Sequence, residues 1–355
     1  MLDRVNKLRE AMAELDLAGF LVTRPENWLY LSGFTGTNAL LLITAAEALL
    51  LTDFRYVEQA REQAPDFEVI RPQGLLEDGL AAEVKSRGLI FLGFEDDHMT
   101  YKEYQKFCDR LPGTEFRAAS GVVEKLRGIK DDREIGLLRQ AVEIADTAFD
   151  YILDFIKPGV KETDLALELE CFMRRKGAQK TAFDIIVASG IRSALPHGVA
   201  TDKVIQKGEF ITMDFGAVYR GYHSDITRTV VLGKAGDKQK DIYSIVLEAQ
   251  LEAIDAIKSG EVAGTVDTVA RDLIARHGYG ANFGHGLGHS VGLAIHEKPT
   301  LSTRDSTILE KGMTLTVEPG IYLPGWGGVR IEDIVAVTDY GCEILTRAPK
   351  ELIEI

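Results

Sequence analysis

The sequence predicts an α+β protein of two domains, a small α/β domain at the N-terminus and a larger domain of paired helices and β-hairpins. The first third of the chain alternates helical and extended patterns, and the remainder shows a coarse repetition of two helices followed by strands and a hairpin. A densely charged segment at 125–134 precedes a long amphipathic helix. We therefore expect domains at 1–123 and 124–355.

In the N-terminal domain, apolar residues at helical spacing predict a helix over 2–16, and a strand follows at 19–23. Two apolar runs, NALLLIT and EALLLTD, flank a short break as in an antiparallel pair of strands. A polar helix over 55–64 and the short strands FEVIRP and LIFLGFE complete the domain.

The second domain begins with a long helix after the charged segment. A second helix is predicted at 163–176, with Thr163 as its N-cap and Gly177 after its end, and strands with a hairpin follow up to Leu232. From residue 238 the same order recurs, with helices up to 258 and at 265–277 and a hairpin up to 337.

Composition limits the class of partner. The 355 residues include 41 basic and 55 acidic side chains, a net charge of −14, which disfavours nucleic acid and anionic membranes as partners. Three scattered cysteines without a CxxC pair indicate neither a disulfide framework nor a thiolate metal site. The N-terminus is charged throughout, and the longest apolar stretch is too short to span a bilayer, so we expect a cytoplasmic protein.

Both hairpins of the second domain carry paired carboxylates. A turn centred between Tyr219 and Arg220 would place Asp214 directly opposite Asp225, and a turn centred on Gly325 would place Glu318 opposite Glu332. Opposed like charges about 5 Å apart are destabilising. One such acid is usually a solvated residue on a strand face, but two symmetric pairs in apolar strands indicate bound cations.

Three histidines follow one another in GHGLGHSVGLAIHE: His285, His289 and His296. The HxxxH spacing is that of a zinc-binding helix, but Gly286 stands where such a helix needs its glutamate, and the many glycines predict a loop or extended segment. Four carboxylates and an imidazole form an oxygen-rich set whose charge two divalent ions would cancel, with Mn²⁺ preferred over Co²⁺ or Zn²⁺. Metal-assisted hydrolysis of an amide is the expected reaction class.

The segments that carry these residues resemble the M24 family of "pita-bread" metallopeptidases, which includes prolidase, aminopeptidase P and methionine aminopeptidase. The segments are MDFG (213–216), SDITRT (224–229), GHGLGH (284–289), VEPGIY (317–322) and VRIED (329–333). The resemblance implies a pita-bread catalytic domain and a smaller creatinase-like N-terminal domain.

The resemblance also implies residue roles. It assigns the metal ligands Asp214, Asp225, His289, Glu318 and Glu332. Glu318 would also shuttle a proton for a water that bridges two metal ions, and His285 and His296 would act on the substrate. His197 would bind the proline side of the scissile bond, and Tyr322 and Arg330 would line the substrate site. His98, His223 and His277 match no functional position.

The N-terminal segments NWLYLSGFTGTNALLLIT and LLTDFRYVEQA resemble the proline-specific branch, whose substrates are short peptides with proline at the second position. That branch implies a homodimer, in which part of the segment 28–37 approaches the partner subunit's site. Prolidases of this size often carry an arginine where this chain has Thr300, which favours an Xaa-Pro aminopeptidase over an Xaa-Pro dipeptidase. Arg304, Arg192 or Arg330 could replace that arginine, so the dipeptidase stays an alternative.

Two further interpretations are less favoured. A creatinase-like amidinohydrolase would have lost the metal ligands, and a non-catalytic peptide-binding protein on the same fold would not need the flanking histidines. All five ligand positions and the histidines are present.

Overall fold

The computed structural model describes residues 2–355 and divides into two compact units, the first ending at Arg127 and the second spanning Gly128–Ile355. None of the helices in this described range combines the length and the apolar character needed to cross a membrane.

The first unit is a six-stranded mixed sheet with helices. Its strands, in the spatial order β4-β3-β2-β1-β5-β6, are β1 (Gly19–Val22), β2 (Ala39–Thr44), β3 (Ala48–Thr52), β4 (Glu68–Ile70), β5 (Phe91–Phe94) and β6 (Glu115–Ala118). Its helices are α1 (Leu2–Glu14), α2 (Pro25–Ser32), α3 (Val57–Gln63), α4 (Leu76–Ser86), α5 (Tyr101–Arg110) and α6 (Val122–Gly128), whose last residue begins the second unit. The predicted antiparallel pairing of β2 with β3 is confirmed. Every residue of β1 and β2 is buried, which explains why these strands are continuous apolar runs without alternation.

The second unit contains two helix pairs, each followed by strands, as the repeated pattern predicts. The helices are α7 (Asp132–Leu153), α8 (Glu162–Arg175), α9 (Asp237–Ala256) and α10 (Ala263–Arg276). The strands of the first half are β7 (Lys180–Thr181), β8 (Ile186–Ser189), β9 (Phe210–Phe215), β10 (Ala217–Tyr219), β11 (Tyr222–His223) and β12 (Ile226–Val231). Those of the second half are β13 (Gly288–Ser290), β14 (Glu297–Leu301), β15 (Thr314–Val317), β16 (Gly320–Leu323), β17 (Gly327–Arg330), β18 (Asp333–Val337) and β19 (Cys342–Ile344). Each helix pair packs mainly against strands of its own half, so the unit has two apolar cores, and Phe210 and Val231 of the first half join the core around α9 and α10.

The two long helices of the first half begin where side chains satisfy their first amides. The Asp131 carboxylate accepts from the Glu134 amide, and the Glu134 carboxylate accepts from the Asp131 amide, a capping box that ends the charged segment. The prediction of Thr163 as the N-cap of α8 is wrong. Lys161 takes that position, because the Asp164 side chain accepts from its amide and Glu162 is already helical.

The register of the first hairpin differs from the predicted one. Arg220 and Gly221 both have positive φ, at 48° and 86°, and form a two-residue turn whose twist matches that of the flanking strands. Asp214 is therefore opposite Thr227 rather than Asp225. Asp225 precedes Thr227 by two residues, and side chains two apart along a strand point the same way. Both aspartates therefore still point to one side.

The second hairpin has the predicted register. Val317 pairs with Asp333 and Gly320 pairs with Arg330, and these two pairs enclose Glu318 and Glu332 at opposed positions. Gly325, with φ of 78°, lies in the turn.

Candidate metal centre and active site

Three of the predicted carboxylates meet at one point in the second unit. Asp214 on β9, Asp225 immediately before β12 and Glu332 between β17 and β18 each offer an oxygen, and these oxygens lie within 4.8 Å of one another. Asp225 and Glu332 are 6% and 1% exposed. Carboxylate oxygens this close and this buried repel one another unless a cation or a proton lies between them.

His289 and Glu318 complete the cluster. The His289 Nε2 atom lies 3.4 Å from Glu318 Oε1 and 3.7 Å from Asp225 Oδ2. Its other ring nitrogen, Nδ1, is 3.1 Å from the Ser290 carbonyl oxygen, which can only accept, so Nδ1 carries the proton. Burial lowers the pKa of His289 to about 4, which leaves a neutral ring whose Nε2 lone pair faces two carboxylates. That arrangement is unfavourable by itself and suits a metal ion bound between these groups.

Unsatisfied oxygens give an independent test of whether the residues fit a metal. Within residues 2–355, Asp214 Oδ1 and Glu332 Oε1 are buried and have no hydrogen-bond partner. An unpartnered buried carboxylate oxygen is costly, whereas a hard divalent cation binds such oxygens directly. The donor set therefore fits divalent cations.

The pKa values of the carboxyl groups are shifted upward, as expected for a buried acidic cluster. Burial raises the pKa of Asp225 well above its ordinary value, and the charge of Glu332 raises it further. Burial likewise raises the pKa of Asp214 and Glu332, and it raises that of Glu318 to about 7. A bound cation would reverse these shifts by favouring the ionised forms.

Arg330 holds several of these groups in place through its guanidinium. Its Nη2 donates to Asp214 Oδ2 at 2.6 Å, and its Nε donates to Thr227 Oγ1 at 3.0 Å. Its Nη1 donates to the Tyr322 hydroxyl and to the Pro196 carbonyl at 2.9 and 3.1 Å. Arg330 is 3% exposed, and its three side-chain nitrogens donate to four groups around the cluster. We therefore expect it to orient the side chains of the site.

The three histidines outside the carboxylate cluster differ in exposure. The His285 Nδ1 atom is 2.7 Å from the Gly286 carbonyl oxygen, so its Nε2 accepts from the Tyr322 hydroxyl at 2.9 Å. Burial lowers the pKa of His285 to about 4. The rings of His289 and His296 are edge to face at 4.5 Å, and His296 and His197 are exposed to solvent. His197 follows Pro196, whose carbonyl Arg330 contacts.

Two threonines that the sequence did not single out support the cluster. Thr227 donates to Glu332 Oε2 at 2.7 Å, and Thr316 donates to Glu318 Oε1 at 3.2 Å. A signal was available, because Thr227 and Thr316 stand two residues from Asp225 and Glu318 on the same strand faces.

The remaining histidines, His98, His223 and His277, are those for which the sequence predicts no function. His98 and His277 are exposed. The His223 backbone amide and Nδ1 both contact the Gly292 carbonyl, at 2.8 and 3.2 Å, so this residue fixes the loop that leads to His296.

Family models match both parts of the chain. The model of the creatinase/prolidase N-terminal domain matches residues 4–129, and that of metallopeptidase family M24 matches residues 136–339, more than half of the chain. The chain belongs to metallopeptidase family M24. The enzyme thus has the predicted family and the predicted combination of a creatinase-like N-terminal domain with a pita-bread catalytic domain.

Individual relatives are similar over nearly the full length. The structure of the Xaa-Pro dipeptidase from Bacillus anthracis is 51% identical, with a TM-score of 0.98, and the match covers 100% of this chain and 99% of that one. The Xaa-Pro dipeptidase of Pyrococcus horikoshii is 41% identical, with 99% of both chains covered. The structure of an X-Pro aminopeptidase from Thermotoga maritima is 40% identical, with a TM-score of 0.91 and coverage of 97% and 100%.

Proposed function

We propose that the enzyme is an Xaa-Pro dipeptidase, a prolidase that hydrolyses the bond between an N-terminal residue and a C-terminal proline. The observation that carries this proposal is the near full-length similarity to two Xaa-Pro dipeptidases around a cluster of buried carboxylates with a neutral histidine. The first preference from the sequence, an aminopeptidase, becomes the second candidate.

In this proposal, Asp214, Asp225, His289, Glu318 and Glu332 hold two divalent cations. Mn²⁺ is the first choice and Co²⁺ or Zn²⁺ the alternatives, because four of the five ligands offer oxygen. When bound, such ions supply an activated water and polarise the scissile carbonyl.

The protein's own groups would then manage protons and orientation. The Glu318 carboxylate is the group placed to accept a proton from the attacking water and return it to the proline nitrogen, which must be protonated to leave. Arg330 donates to the Tyr322 hydroxyl, which donates to His285 Nε2, so these three residues orient one another along one edge of the site. His296 and His197, both exposed, are the groups that we assign to substrate contact.

The second candidate is an Xaa-Pro aminopeptidase, which releases the first residue from longer peptides. A dipeptidase needs a cation for the substrate's carboxylate, yet Thr300 is uncharged and its hydroxyl donates to Asp305 at 2.8 Å. Arg192 donates through one terminal nitrogen to Glu162 and through the other to the Val199 carbonyl. Both nitrogens that could bind a substrate carboxylate therefore already have protein partners. The similarity to the Thermotoga maritima aminopeptidase also favours this candidate.

We further propose that the enzyme is a cytoplasmic homodimer, with functional domains at 1–123 and 124–355 and with part of the segment 28–37 close to the partner subunit's site. The support is the match of residues 4–129 to the creatinase/prolidase N-terminal domain. Sedimentation of a monomer at micromolar concentration would overturn the dimer.

The deciding experiment compares Ala-Pro and Ala-Pro-Ala as substrates of metal-stripped protein after addition of Mn²⁺. Faster cleavage of Ala-Pro supports the dipeptidase, and faster cleavage of Ala-Pro-Ala supports the aminopeptidase instead. The variant Asp225→Asn should be inactive with either substrate, whereas the exposed Asp154→Asn should match the wild type. No metal-restored cleavage of either peptide would refute Xaa-Pro specificity.

A further inference from the structure

The segment 190–200 carries His197 between two fixed ends. It leaves β8 at Ser189 and forms a short 3₁₀ turn over Gly190–Ala194, and its far end forms a bridge between Val199 and Ile186 just before Thr201. Because the segment has no regular strand or helix after this turn, the position of His197 depends on these contacts and on what fixes the two ends.

A single carboxylate binds both ends. Glu162, in the first turn of α8, is fully buried, and its Oε1 accepts from the backbone amide and hydroxyl of Ser189 at 2.8 and 2.9 Å. Its Oε2 accepts from the backbone amide and hydroxyl of Thr201 at 3.1 and 2.8 Å. Each carboxylate oxygen thus holds one end of the segment.

Arg192 adds a cation from within the segment. Its Nη1 donates to Glu162 Oε2, and its Nη2 donates to the Val199 carbonyl at 2.9 Å. Arg192 therefore compensates the charge of Glu162 and also connects two points of the segment. Charge-assisted hydrogen bonds of this kind are about twice as strong as neutral ones.

The segment reaches the metal centre through a separate contact. The Pro196 carbonyl accepts from Arg330 Nη1, and Arg330 Nη2 donates to Asp214. A displacement of the segment would therefore move His197 and also disturb the guanidinium that orients Asp214.

We infer that Glu162 is a positioning residue for the reaction: it fixes Ser189 and Thr201 and so holds His197 against the substrate. The inference rests on the proposed function, because it takes His197 as a substrate-binding residue. The Glu162 carboxylate accepts from Ser189, Arg192 and Thr201, none of which is a predicted metal ligand, so it acts through the segment.

The test uses Glu162→Gln with Glu95→Gln as matched control. Glu95 is also a buried carboxylate, 1% exposed, that accepts from two backbone amides and two side chains, but its partners Thr23, Arg24 and Asn27 all lie in the first unit. Both variants replace a buried carboxylate by an amide with one acceptor oxygen, so a general loss of stability affects both.

Two measurements follow. Hydrogen–deuterium exchange of the Ser189 and Thr201 amides should accelerate in Glu162→Gln and stay unchanged in Glu95→Gln. The kcat/KM for Ala-Pro should fall roughly 10- to 100-fold in Glu162→Gln, the cost of a small displacement of a substrate-contacting group. In a His197→Ala background the same change should cost at least about threefold less than in the wild type, because coupled residues are not additive and only the effect through Arg330 remains.

The outcomes separate the two hypotheses. Equal effects of Glu162→Gln with and without His197 would overturn the positioning role, as would unchanged exchange of both amides. If the wild type cleaves neither Ala-Pro nor Ala-Pro-Ala, the proposed function fails. The exchange measurement still tests whether Glu162 fixes Ser189 and Thr201. If Glu162→Gln does not fold, Thr201→Val removes one hydroxyl donor and should accelerate exchange at the Thr201 end alone.

Discussion

Replacing Glu318 by glutamine should change how the stability of the metal-free enzyme depends on pH. Burial raises the pKa of Glu318 from about 4.5 to about 7. Below pH 4.5 the carboxyl is protonated in both the folded and the unfolded state, so it adds no pH dependence. Between pH 4.5 and 7 the unfolded state releases the proton while the folded state retains it, and the free energy of unfolding falls as pH rises. The loss amounts to roughly 3 kcal/mol across this window.

The measurement is urea denaturation of chelated wild type and Glu318→Gln at several pH values, compared as a difference. The difference is needed because burial lowers the pKa of His285 and His289 to about 4, which makes stability rise between pH 4 and 6.5 and opposes the Glu318 contribution. The stability of the wild type relative to the variant should decline by roughly 3 kcal/mol from pH 4.5 to 7. The exposed Glu310→Gln serves as the control and should show no such decline.

Saturating Mn²⁺ should reverse the trend, since a bound cation favours the ionised carboxylate and binding improves as the ligands lose protons. A pH-independent difference in the metal-free protein would refute the argument that burial keeps Glu318 protonated.

Three further changes test the supporting contacts. Asp225→Asn should weaken Mn²⁺ binding in calorimetry by more than the roughly 10- to 100-fold that loss of a supporting residue costs. Thr227→Val removes the donor to Glu332 Oε2 and should weaken Mn²⁺ binding by that 10- to 100-fold, whereas unchanged affinity would contradict its role. Arg330→Lys keeps a charge but cannot reproduce the guanidinium contacts, so unfolding in urea should show a loss of about 1–3 kcal/mol from unsatisfied buried partners such as the Tyr322 hydroxyl.

Local patterns predicted much of the fold but not the contacts that depend on tertiary structure. The antiparallel pair β2–β3 followed from two apolar runs separated by a short break. Helix α2 was missed because Pro25–Ser32 is short and buries polar residues such as Asn27, so no helical stripe is visible. Glu162 was missed for a different reason. An acid in the first turn of a helix is ordinary because it suits the helix dipole, and nothing local indicates that it binds two distant backbone positions.

The first hairpin explains why the carboxylate cluster was predictable although its register was not. The predicted partner of Asp214 was Asp225, and the observed partner is Thr227, a slip of two residues. A slip of one residue would have moved one aspartate to the opposite face of the sheet, but a slip of two leaves every side chain on its predicted face. Alternation along the strands therefore determined which side Asp214 and Asp225 share, whereas the turn at Arg220 and Gly221 determined their offset. The offset matters for the chemistry, because it makes Thr227 the direct neighbour of Asp214, and from there its hydroxyl donates to Glu332 and accepts from Arg330.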